Sequence, residues 1–335
     1  MIRSLAAAAV LLLAGFATAE PMQTALTPSN VLYAIAPDGD LPMLELTLKS
    51  GTVMSRVLVP GTEDSAVESH PRLVWDDTDK QLFVVWHRSG EEGDEIRLAT
   101  LSARGEWSAP VTVAGCSDAK RTGLQIALGH AASTFEGEPA TTLVHIAWWK
   151  IALDSQTPEY ALLAFENGKH VSTEVENLID LAAVRGSSSE TDTEDIVDVL
   201  HPPMAMARTA NSGEVEIAFG AQYSTAMTRV KLQPRKIGSH VRIWKPGRIG
   251  GSLLPRAGLT SATGAPVRSF IANGRIVLYT PDEQFRYVVY DNGAWTPTRM
   301  IKLDAQLSGD ALVEYLRRAV DDQESSTEDD GAANE

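Results

Sequence analysis

The chain has 335 residues, 44% of them hydrophobic, and a formal net charge of −15. A chain of this length can bury a large core, and its acidic balance argues against nucleic acid or an anionic membrane surface as a partner. The negative charge is concentrated in two segments: Asp321–Glu335 has seven acids and no base, and Arg185–Val199 has five acids and one base. The rest of the chain is therefore close to neutral, and both acidic segments are predicted to be flexible.

Residues 1–19 have the pattern of a secretory signal peptide. Arg3 precedes an apolar run from Leu5 to Phe16, and Ala17-Thr18-Ala19 is a small-x-small cleavage sequence. The apolar run is too short to cross a bilayer comfortably, which argues against a membrane anchor. We therefore predict cleavage at about Glu20, export to a periplasmic or extracellular location, and no membrane span after cleavage.

The chain contains a single cysteine, Cys116. One thiol cannot form a disulfide within the chain, even in an oxidising compartment. We interpret Cys116 as a small, partly buried filler, so the fold must depend on its apolar core alone.

Four predicted strands follow one another between His70 and Val113. Their sequences are HPRLVW, QLFVVWH, EIRLATL and EWSAPVTV, and the turn sequences DDTDK, RSGEEGD and SARG separate them. Each strand is short, and Val, Leu, Ile and Trp are frequent in the set. A single four-stranded sheet buries too little surface to be stable, so it needs neighbours of the same kind.

The turn between the third and fourth of these strands recurs along the chain. Each copy is a strand, a tight turn with glycine and a second strand, and the glycines are Gly51, Gly105, Gly168 and Gly293. The first two gaps are 54 and 63 residues and the third is 125, about two periods. The copy that this spacing requires is predicted near residues 230–247, with Gly238 in its turn.

A repeat four strands long is typical of a β-propeller blade. We therefore predict an all-β chain whose residues 20–307 form a β-propeller of about five four-stranded blades, with six as an alternative count. A β-sandwich with similar hairpins is the competing interpretation. The first blade lacks a clear first strand, which either Met22–Thr27 or the C-terminal end of the chain supplies.

One helix is predicted after the propeller, over residues 308–320. Ser308 can cap it, and Leu312, Tyr315, Leu316 and Ala319 would line one face. We expect this amphipathic helix to pack on the edge or bottom of the propeller, with docking to a partner as the alternative. Residues 321–335 are predicted to be a disordered acidic tail.

The repeat resembles the sialidase-like superfamily of β-propellers, which is built from BNR or Asp-box repeats. The resemblance covers most of residues 30–303 and depends on the pattern P-x-L…W-D-x-x-x-x-x-L-x-V-V-W followed by G-x-W-S-x-P-V. The nearest copies of the Asp box S-x-D-x-G-x-x-W are Ser102–Trp107 and Asp291–Trp295, which keep the glycine and the tryptophan and lose the full spacing. The likeness concerns the repeat, so it implies the fold more than an activity.

Sialidases of this superfamily bind the substrate carboxylate with three arginines and use a tyrosine with a glutamate partner as nucleophile and an aspartate as acid. Arg72, Arg208 and Arg268 lie on predicted inner strands, where such arginines would be needed. The matching positions do not supply the remaining residues of the set. The main hypothesis is therefore a non-catalytic exported β-propeller that binds a glycan or a protein. The alternative is a divergent sialidase-like glycoside hydrolase that uses Arg72 and acids from loop ends.

Two predicted inner strands begin with the same dipeptide, His70-Pro71 and His201-Pro202. Equivalent positions in two blades would bring both imidazoles to one mouth of the channel, where they could bind an anion or a metal together with Arg72 and His130. The alternative is that each proline only sets the entry of its strand.

The neighbouring Trp148 and Trp149 point to opposite faces of one strand, so Trp149 is a candidate for stacking on a sugar ring, with core packing as the alternative. No spacing in the chain matches a compact metal motif, and we predict no cofactor. Besides the histidines, Ca²⁺ at the Asp76-Asp77-Thr78-Asp79 turn or in the acidic stretch Ser187–Asp198 is a metal alternative.

Overall fold

The computed structural model of the chain describes residues 23–29, 31–35, 44–62, 66–91, 93–117, 119–131, 140–152, 155–178, 204–208, 213–220, 227–237, 243–259, 267–272, 275–280, 285–301, 315–320 and 322. The predicted signal peptide, most of the two acidic segments, His201 and Gly238 lie outside these residues. Within them, no helix combines the length and the apolar character needed to cross a membrane.

The described strands form five antiparallel sheets, and each sheet takes its strands in chain order. The last sheet has an interrupted outer strand, because two short strands pair with the same third strand. The strands are β1 Gln23–Leu26, β2 Val31–Ile35, β3 Glu45–Ser50 and β4 Val53–Leu58 in blade 1; β5 Val67–Asp76, β6 Gln81–Gly90, β7 Gly93–Ser102 and β8 Val111–Ser117 in blade 2; β9 Lys120–Ala131, β10 Thr141–Ala152, β11 Ser155–Glu166 and β12 Lys169–Asn177 in blade 3; β13 Met204–Arg208, β14 Val215–Gly220, β15 Met227–Ile237 and β16 Ile243–Leu253 in blade 4; and β17 Arg268–Ala272, β18 Arg275–Thr280, β19 Phe285–Asp291, β20 Ala294–Trp295 and β21 Arg299–Ile301 in blade 5.

The five sheets are the blades of a β-propeller. The first strand of each blade is the inner one, and β1, β5, β9, β13 and β17 contact one another in that order. Apolar cores fill the spaces between consecutive blades, and Trp86, Trp148 and Phe219 are among the large side chains in them. The predicted fold class is therefore confirmed, as are the first three predicted strands of blade 2, with five blades in the described part of the chain.

The glycine turns that revealed the repeat have the backbone that tight hairpins require. Gly51, Gly105, Gly168 and Gly293 all have positive φ, between 58° and 87°. In two of these turns the preceding asparagine, Asn167 or Asn292, also has positive φ, as a type I′ turn needs at both central positions. The fifth copy lies where the spacing put it, since β15 and β16 flank residues 238–242.

Blade 1 takes its first strand from the N-terminal side, because β1 lies within the proposed segment Met22–Thr27 and pairs with β2. The predicted fourth strand of blade 2 was placed too early. It begins at Val111 rather than Glu106, and Trp107 forms only an isolated bridge with Leu101. Pro110 has no N–H to donate to a ladder, which is the physical reason for the later start.

The described helix α1 spans residues 315–320. Leu316 and Val320 are buried against the face of blade 5 that points away from blade 4, where Phe270 and Tyr287 also lie. Arg317 Nε donates to the carbonyl of Ile271 at 3.1 Å, which ties the helix to the inner strand β17. Tyr315 was expected on the buried face but is 36% exposed, since Leu316 and Val320, four residues apart, define the buried stripe and Tyr315 lies a helical step to one side.

Candidate functional site

Three polar side chains meet at one end of the channel. Asp76 ends β5, His130 is the penultimate residue of β9, and Arg208 ends β13. His130 Nε2 lies 3.0 Å from Asp76 Oδ1, and Arg208 Nη1 lies 3.5 Å from His130 Nδ1. These contacts join the inner strands of blades 2, 3 and 4, so the fold brings together residues that are 54 and 78 positions apart in sequence.

Asp76 is the most deeply buried residue of this group. Its Oδ1 also accepts a hydrogen bond from the Thr78 backbone N–H at 2.8 Å, and its Oδ2 accepts one from the Thr142 hydroxyl at 3.1 Å. The same hydroxyl lies 2.8 Å from Oδ2 of Asp79, whose side chain is exposed. Thr142 therefore stands between a buried and an exposed carboxylate.

The contacts of His130 determine which ring nitrogen carries its proton. An ionised Asp76 can only accept, so Nε2 of His130 must be the donor. In a neutral imidazole the other nitrogen, Nδ1, is then an acceptor, and it faces a guanidinium that can only donate. We define Asp76, His130 and Arg208 as the mouth triad: a buried carboxylate orients an imidazole, which in turn orients an exposed guanidinium.

His70 lies at the other end of blade 2. The ladder between β5 and β6 shifts register between Ser69 and Arg72, and His70 sits in this bulge with φ of 52°. Its Nδ1 is 3.0 Å from the Ser69 hydroxyl. A non-glycine residue with positive φ inside a strand is strained, and such strain is found where the surrounding structure fixes it.

Arg72 and Arg268 share one neighbour, the buried Tyr279 of β18. Arg72 Nε donates to the carbonyl of Leu124 at 2.9 Å. Burial raises the pKa of Tyr279, and the positive charges of Arg268 and Arg72 oppose that rise. Arginines from blades 5 and 2 therefore both come close to one buried phenol.

The structure does not collect the predicted site residues into one place. His70 and Asp76 are six residues apart on β5, about 20 Å at strand spacing, so His70 and the mouth triad lie at opposite ends of the channel. His130 therefore does not join His70 at one mouth, and His201, the predicted partner of His70, lies outside the described residues. Arg208 is likewise displaced along the strands from Arg72 and Arg268.

Trp149 is not an exposed platform. It is 6% exposed, in the core between blades 3 and 4, and its ring packs edge-to-face on Phe219 with 6.1 Å between centroids. Trp148 on the opposite face is fully buried, and its Nε1 donates to Glu159 at 2.8 Å. The sheet has blades on both faces, so alternation along β10 exposes neither ring.

A fully buried histidine lies close to the mouth triad. The Nδ1 of His145 is 2.6 Å from the hydroxyl of Tyr160, and its Nε2 has no hydrogen-bond partner. Burial, aided by the positive charge of Arg208, lowers the pKa of His145 to about 3. His145 is therefore a neutral core residue at physiological pH rather than a ligand.

Among the described residues, no group of three or more His, Cys, Asp or Glu side chains is arranged to hold a metal. In the turn proposed for Ca²⁺, Asp76 accepts hydrogen bonds from the protein and Asp77 pairs with Lys80 Nζ at 2.5 Å. A cation there would have to displace these partners.

Sequence reasoning missed the roles of Asp76, Asp79 and Thr142. Asp76 was interpreted as part of a turn and as a candidate Ca²⁺ ligand, yet it ends its inner strand as Arg208 does and as His130 nearly does. An alignment of the blades by the ends of their inner strands would have placed these three side chains at one mouth.

Comparisons with known proteins give structural likeness alone. No family model matches the chain, and no curated protein matches it. Among solved structures, an exo-β-1,3-galactanase from Phanerochaete chrysosporium with β-1,3-galactotriose aligns at 10% identity and a TM-score of 0.37, over 82% of this chain and 60% of that one. The Bacillus subtilis arabinanase aligns at 11% identity and a TM-score of 0.36, over 85% and 94% of the two chains.

An exo-1,5-α-L-arabinanase from a bovine ruminal metagenomic library aligns at 10% identity and a TM-score of 0.36, over 84% of this chain and 96% of that one. The chain spans 60% and 65% of the two galactanase chains that it matches. Identities this low do not transfer an activity between proteins of one fold. None of these enzymes is a sialidase by name, so the sialidase-like type stays a prediction.

Proposed function

We propose that the protein is an exported glycan-binding β-propeller that recognises a carboxylate-bearing glycan at the mouth triad and does not cleave its glycosidic bonds. The observation that carries the proposal is the exposed guanidinium of Arg208, oriented by His130 and, through it, by the buried Asp76. An arginine held in this way is suited to a carboxylate, because its planar fork can donate two parallel hydrogen bonds.

The surroundings of Arg208 support a sugar ligand. The exposed Asp79 carboxylate can accept hydrogen bonds from sugar hydroxyls, while Arg208 donates to the acidic group. A net charge of −15 argues against nucleic acid. A glycan with both hydroxyls and a carboxylate is the ligand class that uses both signs of charge at this mouth.

A divergent glycoside hydrolase is the second candidate, and one observation favours it. Oxygens of Asp76 and Asp79 both lie within hydrogen-bond distance of Thr142 Oγ1, so they are less than about 6 Å apart, close to the separation in retaining glycosidases. Against it, the Asp76 side chain has no exposed surface and accepts from Thr78, His130 and Thr142. A glycosidic oxygen could not reach it without rearrangement.

Calorimetric titration of the chain without residues 1–19 tests the proposal. The ligands would be sialyllactose and oligogalacturonate, with neutral galactan and arabinan oligosaccharides for comparison. We expect binding of at least one acidic glycan, weakened about tenfold or more in Arg208→Ala, because a hydrogen bond to a charged group contributes about 1.5–3 kcal/mol. Arg208→Lys should restore little of it, since an ammonium lacks the fork.

Arg56→Ala is the matched control, because Arg56 is an exposed arginine on β4, the outer strand of blade 1, away from the mouth triad. Equal binding of neutral and acidic glycans, or an unchanged affinity in Arg208→Ala, would refute the proposal. Turnover of a fluorogenic sialoside or release of reducing ends, lost in Asp79→Asn, would favour the hydrolase instead.

A further inference from the structure

A second polar group lies between blades 2 and 3, at the end of the channel opposite the mouth triad. The Ser69 hydroxyl on β5 is 3.2 Å from Nδ1 of His87 on β6. His87 Nε2 is 3.3 Å from Oδ2 of Asp94 on β7, at ion-pair distance although without hydrogen-bond geometry. A serine, a histidine and an aspartate thus follow one another across three neighbouring strands.

The order of these strands places the hydroxyl next to the channel. β5 is the inner strand, β6 is the second and β7 the third. The imidazole therefore stands behind the hydroxyl and the carboxylate behind the imidazole. Ser69 is 7% exposed, so only a small group could approach its oxygen.

Asp94 is fixed in its ionised form. Its Oδ1 accepts a hydrogen bond from the Ser89 hydroxyl at 2.5 Å, and Arg121 donates to its backbone carbonyl. Burial raises the pKa of Asp94, but the contacts of His87 and Ser89 and the charge of Arg121 outweigh burial and hold it below its usual value. Asp94 can then only accept.

One direction of donation follows along the whole group. Because the Asp94 carboxylate lies 3.3 Å from His87 Nε2, its negative charge favours the tautomer of a neutral His87 with the proton on Nε2, which leaves Nδ1 as an acceptor. The Ser69 hydroxyl then donates to His87 Nδ1, and His70 Nδ1, 3.0 Å from Ser69 Oγ, must be the donor of that contact. His70 holds this position with the strained φ of 52° described above.

We propose that Ser69, His87 and Asp94 form a hydrolytic site for small carboxylic esters. The arrangement meets the geometric requirement of such sites: a nucleophile in contact with a base, and a base oriented by a third group. Ser69 and His87 are the catalytic residues, Asp94 is a positioning residue, and His70 is a second positioning residue that holds the Ser69 hydroxyl.

The reaction balances with water alone. Ser69 Oγ forms a bond to the acyl carbon and its proton passes to His87 Nδ1. The ester C–O bond breaks, and the alcohol leaves with that proton. Water then attacks the acyl-serine carbon and gives a proton to His87 Nδ1. The bond to Ser69 Oγ breaks, the serine takes back the proton, and the carboxylic acid is released.

The buried position of Ser69 limits the acyl group to a short one, so acetate esters are the expected class. The site is separate from the mouth triad and does not depend on glycan binding there. Loss of one activity would leave the other intact.

A fluorophosphonate probe and mass spectrometry test the proposal on the unaltered protein. Trypsin cleavage after Arg56 and Arg72 gives a peptide of residues 57–72 that contains Ser65 and Ser69. We expect the phosphonyl group on Ser69 by fragment mapping. Absence of label, or label at Ser65 or elsewhere, would overturn the proposal.

Hydrolysis of p-nitrophenyl acetate by variants gives the second measurement. Ser69→Ala and His87→Gln should each lower kcat/KM by about 100-fold or more. Ser102→Ala, at the far end of the same blade, should leave it unchanged. Asp94→Asn should lower kcat with less than about a threefold change in KM while its circular dichroism spectrum stays native, which separates the effect from a smaller folded fraction. Equal rates in Ser69→Ala and Ser102→Ala, both folded by circular dichroism, would refute the site.

Discussion

The sharpest stability prediction concerns His145, whose fully buried imidazole contacts the Tyr160 hydroxyl at 2.6 Å. Its pKa is about 3 in the folded protein and near 6.5 in the unfolded chain. Between these values the unfolded state binds more protons than the folded state. The contribution of the neutral His145 to the free energy of unfolding is therefore fully present above pH 6.5 and is lost as the pH falls from 6.5 towards 3.

The magnitude follows from the two pKa values. Each unit of pH within the window costs about 1.4 kcal/mol, so the loss between pH 7 and pH 4.5 is about 2.5 kcal/mol from this one group. His145→Asn removes the titration while its amide can still reach Tyr160. The variant should be less stable than the native protein at pH 7, because its smaller side chain leaves a void. Between pH 7 and pH 4.5 the variant should lose about 2.5 kcal/mol less unfolding free energy than the native protein.

Urea unfolding followed by tryptophan fluorescence at pH 7 and pH 4.5 measures the two differences. Other groups titrate equally in both proteins, so their effects cancel in the comparison. Tyr160→Phe is the control, because it loses the hydrogen bond but keeps the buried imidazole. It should be destabilised at both pH values and keep the native pH dependence. Equal losses of unfolding free energy between pH 7 and pH 4.5 in His145→Asn and the native protein, within about 0.5 kcal/mol, would show that His145 is not a buried neutral imidazole.

Two further predictions test packing. A Cβ on Gly129 would lie 3.1 Å from both His145 Nε2 and Gly213 Cα, so Gly129→Ala should cost about 1–3 kcal/mol in thermal unfolding. Gly115→Ala, where a Cβ meets nothing within 4 Å, should cost less than about 1 kcal/mol, and equal costs would contradict the close approach. Leu316→Ala in α1 should cost about 2–4 kcal/mol, because the residue is 1% exposed against blade 5. Tyr315→Ala, at the neighbouring position, should change the free energy of unfolding by less than about 1 kcal/mol. A larger cost for Tyr315→Ala than for Leu316→Ala would show that the helix packs through another face.

Much of the fold could be predicted because short stretches of sequence determine its turns and strands. The Asn-Gly turn at Asn292-Gly293 requires positive φ at both positions, and few residues other than Asn and Gly accept it. Segments of alternating or continuous apolar residues between such turns predict the strands, and four such strands make up each unit. The late start of β8 at Val111 was missed because the sequence EWSAPVTV continues a strand pattern through Pro110, and only pairing decides where a ladder begins.

The site could be predicted much less well. Arg208 and His130 were recognised as polar residues on inner strands, but their partner Asp76 was assigned to a turn because of the polar residues that follow it. His130 was considered as a companion of His70 and His201, but His70 and His130 sit at opposite ends of neighbouring inner strands. Trp149 was a candidate for exposure because side chains alternate along a strand. Alternation separates two faces, but it does not tell whether another blade covers each of them.

The sequence alone determined the architecture: strand periodicity and glycine turns act over a few residues, and their recurrence at a near-constant spacing defines the blades. Tertiary structure alone decided which side chains meet. The contacts from Asp76 to His130 and from Ser69 through His87 to Asp94 depend on how inner strands align and how sheets register. No local pattern encodes these alignments, because they follow from the packing of whole blades around the channel. The two candidate sites at the two ends of the channel are therefore products of the assembled propeller.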